Sequence, residues 1–222
     1  ELVIKWAKEL REGDIIGIIG QTAKDVRDTI IETGPSSLMK ISPPDFTPVY
    51  EPSNTRVIWP NGVVGLLYYG DSPNQMRGPN FAKVAIDELA KFQYPQEAWD
   101  MVEMATRSGS NVQIVIATTP KPIQIIKNFL KDKDVTVTHG HTLENKDNLS
   151  ERFMERIYRT YEGTRLGRQE LAGEVLEGLE GMVYDLWDPD TCVIPRFRID
   201  PSWPRYCGHD FGLNNAACLW VA

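Results

Sequence analysis

Short apolar runs alternate with amphipathic segments along the first part of the chain. The apolar runs predict buried strands at 15–19, 83–88, 112–117 and 135–138. Apolar residues at helical spacing predict helices at 1–11, 25–31, 96–107 and 123–131. Strands that alternate with helices in this way predict an α/β fold, with a mainly parallel sheet and helices on both of its faces.

A β-hairpin is predicted between the first two helices and the strand at 83–88. Extended segments at 56–59 and 63–69 flank the sequence Pro60-Asn61-Gly62. Asn-Gly between β-rich segments is a strong short-range signal for a tight hairpin turn. The sequence therefore predicts a hairpin at 56–69.

The character of the chain changes after Asn148. An amphipathic helix follows and is interrupted by Gly163, and a second helical stretch is predicted at 166–176. A proline-rich connection then leads to a strand, a turn and a second strand between 205 and 221. This order predicts a helical linker followed by a different, β-rich unit.

Composition is that of an ordinary globular protein. The 222 residues are 41% hydrophobic and 25% charged. No apolar run approaches the ~20 residues needed to span a bilayer, and no signal peptide precedes the first helix, so we expect a cytoplasmic protein without membrane contact. The net charge of −7 argues against a nucleic-acid coat protein, although it leaves room for a small local DNA contact.

Cysteine and histidine spacing gives no recognisable metal motif. Cys192, Cys207 and Cys218 are far apart, so we interpret them as buried thiols rather than as zinc ligands or a disulfide framework. His139 and His141 form an alternating pair, but no cysteine or acid lies at ligand spacing. The simpler interpretation is a strand end that leads into a loop.

The strand at 83–88 ends in two adjacent carboxylates, Asp87 and Glu88. This is the Walker B pattern, in which one acid holds the Mg²⁺ that bridges nucleotide phosphates and the second orients the attacking water. The pattern is short, and a strand whose last residues are merely solvated has the same appearance. Other segments decide between the two interpretations.

Several further segments, in this order and spacing, resemble the large terminase subunit, the DNA-packaging motor of tailed phages. They are 75–79 (QMRGP), 85–91 (AIDELAK), 117–122 (ATTPKP), 142–145 (TLEN), 161–171 (YEGTRLGRQEL) and 208–212 (GHDFG). The resemblance extends over nearly the whole chain. It looks closest to the branch found in prophages and gene-transfer-agent clusters.

The resemblance implies three parts. They are a RecA-like ASCE P-loop NTPase domain at 1–145, a helical linker with an irregular connection at 146–195, and the start of an RNase H-like nuclease domain at 196–222. The Gly-rich Walker A loop of such ATPases does not occur in the sequence. We therefore expect the chain to be an interior piece of a longer protein, with Walker A before Glu1 and further nuclease acids after Ala222.

The resemblance also implies roles at the strand end. Asp87 would hold the Mg²⁺ of bound ATP, and Glu88 would polarise the water that attacks the γ-phosphate. Arg77 corresponds to an arginine finger that one subunit offers to its neighbour's site. The alternative for Arg77 is a loop arginine that pairs with a nearby acid.

Two more sets of residues follow from the same resemblance. Thr118 and Thr119 would sense the γ-phosphate and couple its loss to the linker, with Pro120 fixing the turn, although β-branched residues also commonly finish a strand. Asp210 would be the first metal ligand of the nuclease, which needs several acids around Mg²⁺ or Mn²⁺.

The arginines of the linker could contact DNA phosphates, although charges on a helix are usually only solvated. They are Arg152, Arg156, Arg159, Arg165 and Arg168. The implied function is ATP-driven translocation of viral double-stranded DNA into the procapsid, with cutting of concatemeric DNA. The implied partners are double-stranded DNA, the portal protein, the small terminase subunit and further copies in a ring on the portal, in the bacterial host cell. The alternatives are another ASCE ATPase such as a helicase, and an inactive prophage remnant.

Overall fold

The computed structural model describes residues 1–109, 111–119, 121–161, 167, 171, 193–211 and 216–221. The chain divides into two compact units, Glu1–Gly178 and Leu179–Ala222. The predicted domain boundaries at 145 and 195 stay predictions. Within the described residues, every helix is too short or too polar to cross a membrane.

A six-stranded sheet forms the centre of the first unit. Its strands are β1 (Ile15–Gly20), β2 (Val49–Glu51), β3 (Arg56–Ile58), β4 (Val64–Tyr69), β5 (Lys83–Asp87) and β6 (Gln113–Ala117). They lie in the order β2-β3-β4-β1-β5-β6. β4, β1, β5 and β6 are parallel, whereas β2, β3 and β4 pair antiparallel. The predicted mainly parallel sheet is confirmed, and β2 is a strand that the sequence did not predict.

In the described residues, six helices accompany the strands. They are α1 (Leu2–Glu9), α2 (Ala23–Asp25, continued by a π-helix at Val26–Glu32), α3 (Leu38–Ile41), α4 (Pro95–Ala105), α5 (Gln124–Lys131) and α6 (Glu151–Tyr161). Short 3₁₀ turns occur at Pro44–Phe46, Pro52–Asn54, Pro73–Met76, Leu89–Lys91 and Thr142–Asn148. The Thr22 hydroxyl accepts a hydrogen bond from the Asp25 backbone N–H, which caps the start of α2.

Both faces of the sheet are covered, and β1 shows this best. Ile16 and Ile18 are buried in one cluster with Trp6 of α1. Ile19 is buried in the other cluster with Val102 of α4. Because neighbouring residues of a strand point to opposite faces, an all-apolar strand is what a doubly covered sheet requires. Full burial of each such aliphatic side chain contributes roughly 1.5–3 kcal/mol to folding.

The predicted hairpin is formed by β3 and β4. Its turn closes with a hydrogen bond from the Gly62 N–H to the Trp59 carbonyl, at 2.9 Å. Gly62 has a φ of +82°, a conformation that glycine adopts without steric cost. The Asn61 side chain donates to the Ala7 carbonyl at 2.8 Å, which ties the turn to α1.

One predicted strand is absent, and the strand that leads to the two acids is shorter than predicted. The run 135–138 is not a strand, because no described strand forms a ladder with it, and β-propensity does not create one without a partner. His139 and His141 lie in a loop, but the strand predicted to lead into that loop is absent. The strand at 83–88 ends one residue early, at Asp87.

The second unit contains an antiparallel pair, β7 (Tyr206–Phe211) and β8 (Ala216–Val221). The register pairs His209 with Cys218. Cys207 and Cys218 are both exposed, so the prediction of buried thiols is wrong for these two residues. A cysteine contributes little to a hydrophobic pattern, so its burial depends on neighbours that the sequence does not identify. Cys192 lies outside the described residues.

Candidate functional site

The carboxyl ends of β5 and β6 lie side by side at one edge of the sheet. In the parallel register, Asp87 is the partner of Ala117. The next residues along the chain are Glu88 on one side and Thr118 and Thr119 on the other. Ligands in open α/β sheets bind beyond the carboxyl ends of the strands. The structure therefore brings together four of the predicted site residues.

Glu88 leaves the strand in an unusual backbone conformation. Its φ of 58° and ψ of 43° lie in the left-handed region, which costs a residue other than glycine roughly 1–2 kcal/mol. Two backbone hydrogen bonds hold it there. The Glu88 N–H donates to the Ala117 carbonyl at 2.6 Å, and the Lys91 N–H donates to the Glu88 carbonyl at 2.8 Å. The chain therefore changes direction at Glu88, directly after Asp87 ends the strand.

The two oxygens of the Glu88 carboxylate have different surroundings. The Thr119 hydroxyl donates to Oε1 at 3.3 Å. Oε2 is buried and accepts no hydrogen bond from the described part of the chain. The Lys91 ammonium forms an ion pair with that Oε2 at 3.3 Å, without hydrogen-bond geometry. One oxygen is thus restrained, and the other keeps its capacity to accept a hydrogen bond.

Thr118 has a different role from Thr119. Its hydroxyl oxygen accepts a hydrogen bond from the Ala90 backbone N–H at 3.1 Å. The same hydroxyl donates to the Thr119 carbonyl at 3.2 Å. Thr118 therefore fixes the turn that follows Glu88, whereas Thr119 contacts the carboxylate itself. Pro120, predicted to fix the same loop, lies outside the described residues.

Asp87 is half-buried, and its surroundings disfavour its charged form. Burial raises the pKa of the Asp87 carboxyl above its ordinary value, and the negative charge of Glu88 raises it further. Lys91 opposes this with a smaller lowering of the pKa, and Asp25 of α2 adds a small increase. Carboxylates whose pKa is perturbed by burial and by a neighbouring charge cluster at functional sites.

These acids fit a hard divalent cation. Mg²⁺ prefers oxygen ligands, typically one or two carboxylates, with waters and phosphates in the other positions. Asp87 supplies a desolvated carboxylate, and Glu88 supplies an oxygen with spare acceptor capacity. A bound cation would compensate the charge that burial destabilises and relieve the repulsion from Glu88, the two causes that raise the Asp87 pKa. The donor set agrees with Mg²⁺ rather than with a thiophilic metal.

Arg77 is not part of this cluster within the described residues. It caps the 3₁₀ turn Pro73–Met76, its side chain is exposed, and its Nε donates to the Met101 sulfur of α4 at 3.3 Å. In the described part of the chain it makes no ion pair, so the alternative of a loop arginine paired with an acid is not supported there.

Three of the five linker arginines are described, and they are exposed on α6. Arg152, Arg156 and Arg159 recur at the spacing of one helical face. Phe153 and Ile157 lie on a different face of the same helix. Arg165 and Arg168 lie outside the described residues. The described arginines thus form a short basic stripe.

Asp210 lies in β7, opposite Ala217 of β8 in the register. A strand is the element on which the predicted nuclease ligand should lie. The assignment to a nuclease stays a prediction.

Two residues near the strand end were not predicted from the sequence. Lys91 forms the ion pair with Glu88, and its separation of three residues from an acid, in a tight turn, is a signal that could have revealed it. Asp25 influences the Asp87 pKa from α2. No local sequence pattern links these two positions, because only the fold brings α2 to this edge.

Comparison with protein-family models identifies one family. The model described as terminase large subunit, T4likevirus-type, N-terminal, matches residues 7–186. The comparison with curated proteins found no match.

Solved structures of phage terminases are similar in fold. The large terminase of a thermophilic bacteriophage, in complex with ADP, has a TM-score of 0.66 at 19% identity, over 99% of this chain and 55% of that one. The complex of the same terminase with ATP-γ-S has a TM-score of 0.63 at 19% identity, over 98% and 53%. The ATPase domain of the Thermus phage P74-26 large terminase has a TM-score of 0.52 at 17% identity, over 75% and 78%.

The chain spans about half the length of the thermophilic bacteriophage terminase. At these identities the structural likeness establishes the fold, a mixed α/β domain with a mainly parallel six-stranded sheet. The family model covers most of the chain independently of that likeness. The chain therefore belongs to the T4likevirus-type terminase large subunit family.

Proposed function

We propose that the chain is the ATPase part of a DNA-packaging motor, which hydrolyses ATP to move viral double-stranded DNA into a procapsid. The observation that carries the proposal is the Glu88 carboxylate at the sheet edge. One of its oxygens accepts from Thr119, and the other is buried and forms an ion pair with Lys91. In a chain of the terminase family, a carboxylate held in this way at the strand end supports the role of a general base that activates water.

The proposed roles follow from the contacts. Asp87 would hold Mg²⁺, which when bound would neutralise charge on the phosphate oxygens. Glu88 would use its carboxylate to orient the attacking water and accept its proton. Thr119 and Lys91 would keep the carboxylate in position, and Thr118 would hold the turn beneath it.

The Thr119 contact also suggests a coupling route. A hydroxyl that touches the catalytic carboxylate can exchange that hydrogen bond for one to the γ-phosphate. The exchange would link hydrolysis to movement of the chain that follows Thr119. Normal DNA movement in a Thr119→Ala protein that still hydrolyses ATP would contradict this route.

Arg77 would act on a neighbouring subunit. Its side chain is exposed, and its Nε donates a hydrogen bond to a neutral sulfur, Met101 Sδ. An exposed guanidinium without an acidic partner is available to stabilise charge on a phosphoryl group in the next site of a ring. Mixtures of Arg77→Ala and Glu88→Gln subunits should depart from simple dilution of activity.

The remaining parts of the proposal concern the intact protein. Asp210 would be one ligand of a two-metal nuclease that uses Mg²⁺ or Mn²⁺ to cut concatemeric DNA. Arg152, Arg156 and Arg159 would contact DNA phosphates. The partners would be the portal protein, the small terminase subunit and further copies of the chain in a ring. Membership of the terminase family favours packaging over the helicase alternative.

The decisive experiment measures ATP binding and phosphate release by the full-length protein. Glu88→Gln should keep nucleotide affinity and lower turnover by ~10²–10⁴-fold, the usual contribution of a general base. Glu103→Gln, on the exposed face of α4, is the matched control and should hydrolyse normally. Wild-type turnover in Glu88→Gln would reject the role of Glu88. Absence of hydrolysis in the wild-type full-length protein, with an in-frame Walker A loop present, would favour the inactive remnant.

A further inference from the structure

Three soft ligand atoms converge on the β7–β8 hairpin. Cys207 Sγ lies 3.2 Å from Cys218 Sγ and 3.3 Å from His209 Nε2. Cys218 Sγ lies 4.0 Å from the same His209 nitrogen. All three side chains are exposed, and the ligand atoms lie within 4.8 Å of one another.

The strand register explains why these residues meet. His209 is the direct cross-strand partner of Cys218. Cys207 precedes His209 by two residues, so the pleat puts both on one face of β7. An antiparallel ladder of six residue pairs, from Tyr206 opposite Val221 to Phe211 opposite Ala216, holds this arrangement. The ligand atoms are therefore positioned by the backbone before any cation binds.

The distances suit a tetrahedral thiophilic cation. Zn–S bonds of about 2.3 Å and Zn–N bonds of about 2.0–2.1 Å at tetrahedral angles put ligand atoms ~3.5–3.8 Å apart. The three observed separations, 3.2, 3.3 and 4.0 Å, bracket that range. Small side-chain adjustments bring all three atoms to bonding distance from one centre.

We propose that Cys207, His209 and Cys218 bind a thiophilic divalent cation of the Zn²⁺ class. Two thiolates and an imidazole are the ligands that such a cation selects, whereas Mg²⁺ prefers oxygen. The fourth position would hold water or another ligand, as in zinc sites with three protein ligands. The cation would link β7 to β8 and stiffen the strand that carries Asp210. This site is separate from the carboxylates of the six-stranded sheet in both residues and chemistry.

Cobalt(II) is the probe for this site. The full chain, kept reduced with a phosphine and free of oxygen, is titrated with Co²⁺ and followed by absorption. We expect one equivalent to give the sulfur-to-cobalt charge-transfer band and the visible bands of a tetrahedral site. Zn²⁺ should displace the Co²⁺, and excess Mg²⁺ should not.

Variants assign the ligands. Cys207→Ser and Cys218→Ser should each weaken the charge-transfer band and lower affinity at least ~10-fold, because a ligand is lost. His209→Gln should lower affinity similarly. His209→Cys should retain tight binding through three sulfurs, and this would show that the loss in His209→Gln is not caused by unfolding. Cys192→Ser is the matched control and should bind as the wild type does.

Three results would overturn the proposal. One is the absence of the charge-transfer band in the reduced wild-type chain. The second is a band of unchanged intensity in Cys207→Ser or Cys218→Ser. The third is a Cys207–Cys218 disulfide in reductant-treated protein, shown by mass spectrometry after thiol alkylation, because the thiols would then be unavailable to a cation.

Discussion

The edge of the six-stranded sheet and the β7–β8 hairpin both bring ligand atoms together, and they do so by different means. At the sheet edge, the two acids are neighbours in sequence, Asp87 and Glu88, and parallel pairing adds Thr118 and Thr119 from the next strand. On the hairpin, Cys207 and Cys218 are separated by 11 positions and meet only through the antiparallel register. Adjacent residues reveal a site in the sequence, whereas cross-strand partners reveal it only in the fold.

The two regions also differ in ligand chemistry. Carboxylate and hydroxyl oxygens surround the sheet edge, and sulfur and imidazole nitrogen surround the hairpin cluster. The first set favours Mg²⁺ and the second favours Zn²⁺. If both assignments hold, each region should respond to its own metal and to its own substitutions.

The largest expected effect is a double dissociation between two acids. In the full-length protein, Asp87→Asn should lower Mg²⁺-dependent ATP turnover by at least ~100-fold, because the metal stabilises several kcal/mol of transition-state charge. Asp210→Asn should leave ATP turnover at the wild-type level and abolish DNA cleavage. Phosphate release and plasmid cleavage are measured on the same preparations. Equal losses of both activities in either variant would contradict the separation of the two regions.

The next effect concerns the hairpin alone. Zn²⁺ at ~100 times its dissociation constant should slow amide hydrogen exchange of β7 and β8 by up to ~100-fold, since binding stabilises the folded form by about 2.7 kcal/mol. A strong chelator should reverse this. Peptides that contain β5 and β6 are the internal control and should exchange at the same rate with and without Zn²⁺. Uniform protection of both regions would show a general effect of the metal instead.

Thr118 and Thr119 provide a matched pair within the sheet-edge region. Thr119→Val removes the hydrogen bond to Glu88 Oε1, which should lower turnover ~10-fold or more, since a hydrogen bond to a charged group contributes roughly 1.5–3 kcal/mol. Thr118→Val removes the acceptor for the Ala90 N–H. That variant should instead lower the melting temperature by about 2–4 °C, for a loss of ~1 kcal/mol in a chain of this size. If Thr118→Val lowered turnover and Thr119→Val lowered only the melting temperature, the roles of the two threonines would be exchanged.

The sequence predicts some parts of the two regions and not others, for physical reasons. Apolar runs predicted β1, β5 and β6, because burial on one or both faces leaves a direct pattern, and the Asn-Gly turn predicted the hairpin of β3 and β4. The pattern failed at 135–138, where a β-rich run has no partner strand, and at Cys207, whose exposure depends on tertiary neighbours. It did not reveal Lys91 or the left-handed turn at Glu88, because those depend on a local conformation rather than on residue types.

A smaller effect tests the electrostatics of Asp87. Burial, and to a smaller extent Glu88, raises the pKa of Asp87 in the folded state. The protonated carboxyl therefore stabilises the folded state, and this contribution is complete below the ordinary aspartate pKa of about 3.9. That contribution is lost as the pH rises through the raised pKa, because ionisation then costs more in the folded state. Without Mg²⁺ or nucleotide, Asp87→Asn should therefore be more stable than the wild type at neutral pH.

The expected gain for Asp87→Asn is modest. Asp87 is only half-buried, so solvent screens part of its cost, and a gain below ~1 kcal/mol corresponds to a rise of ~1–3 °C in melting temperature. The difference between variant and wild type should disappear on acidification below pH ~4. Asp100→Asn, on α4, is the control. A constant difference at every pH would mean that packing, rather than charge, causes it.

The smallest effect concerns Lys91, which lowers the Asp87 pKa and pairs with Glu88 Oε2. Lys91→Met removes that cation and keeps an unbranched side chain, so the Asp87 pKa should rise and protons should compete with Mg²⁺ at higher pH. The acid limb of kcat/KM for Mg-ATP should shift upward by a few tenths of a pH unit, since the lysine is half-exposed and partly screened. Lys131→Met, at the exposed end of α5, should leave the profile unchanged. A lower kcat with an unchanged acid limb would instead mean that Lys91 positions the Glu88 carboxylate without affecting metal binding. The sheet edge would then resemble the hairpin, because in both regions the positions of the ligand atoms would decide the activity.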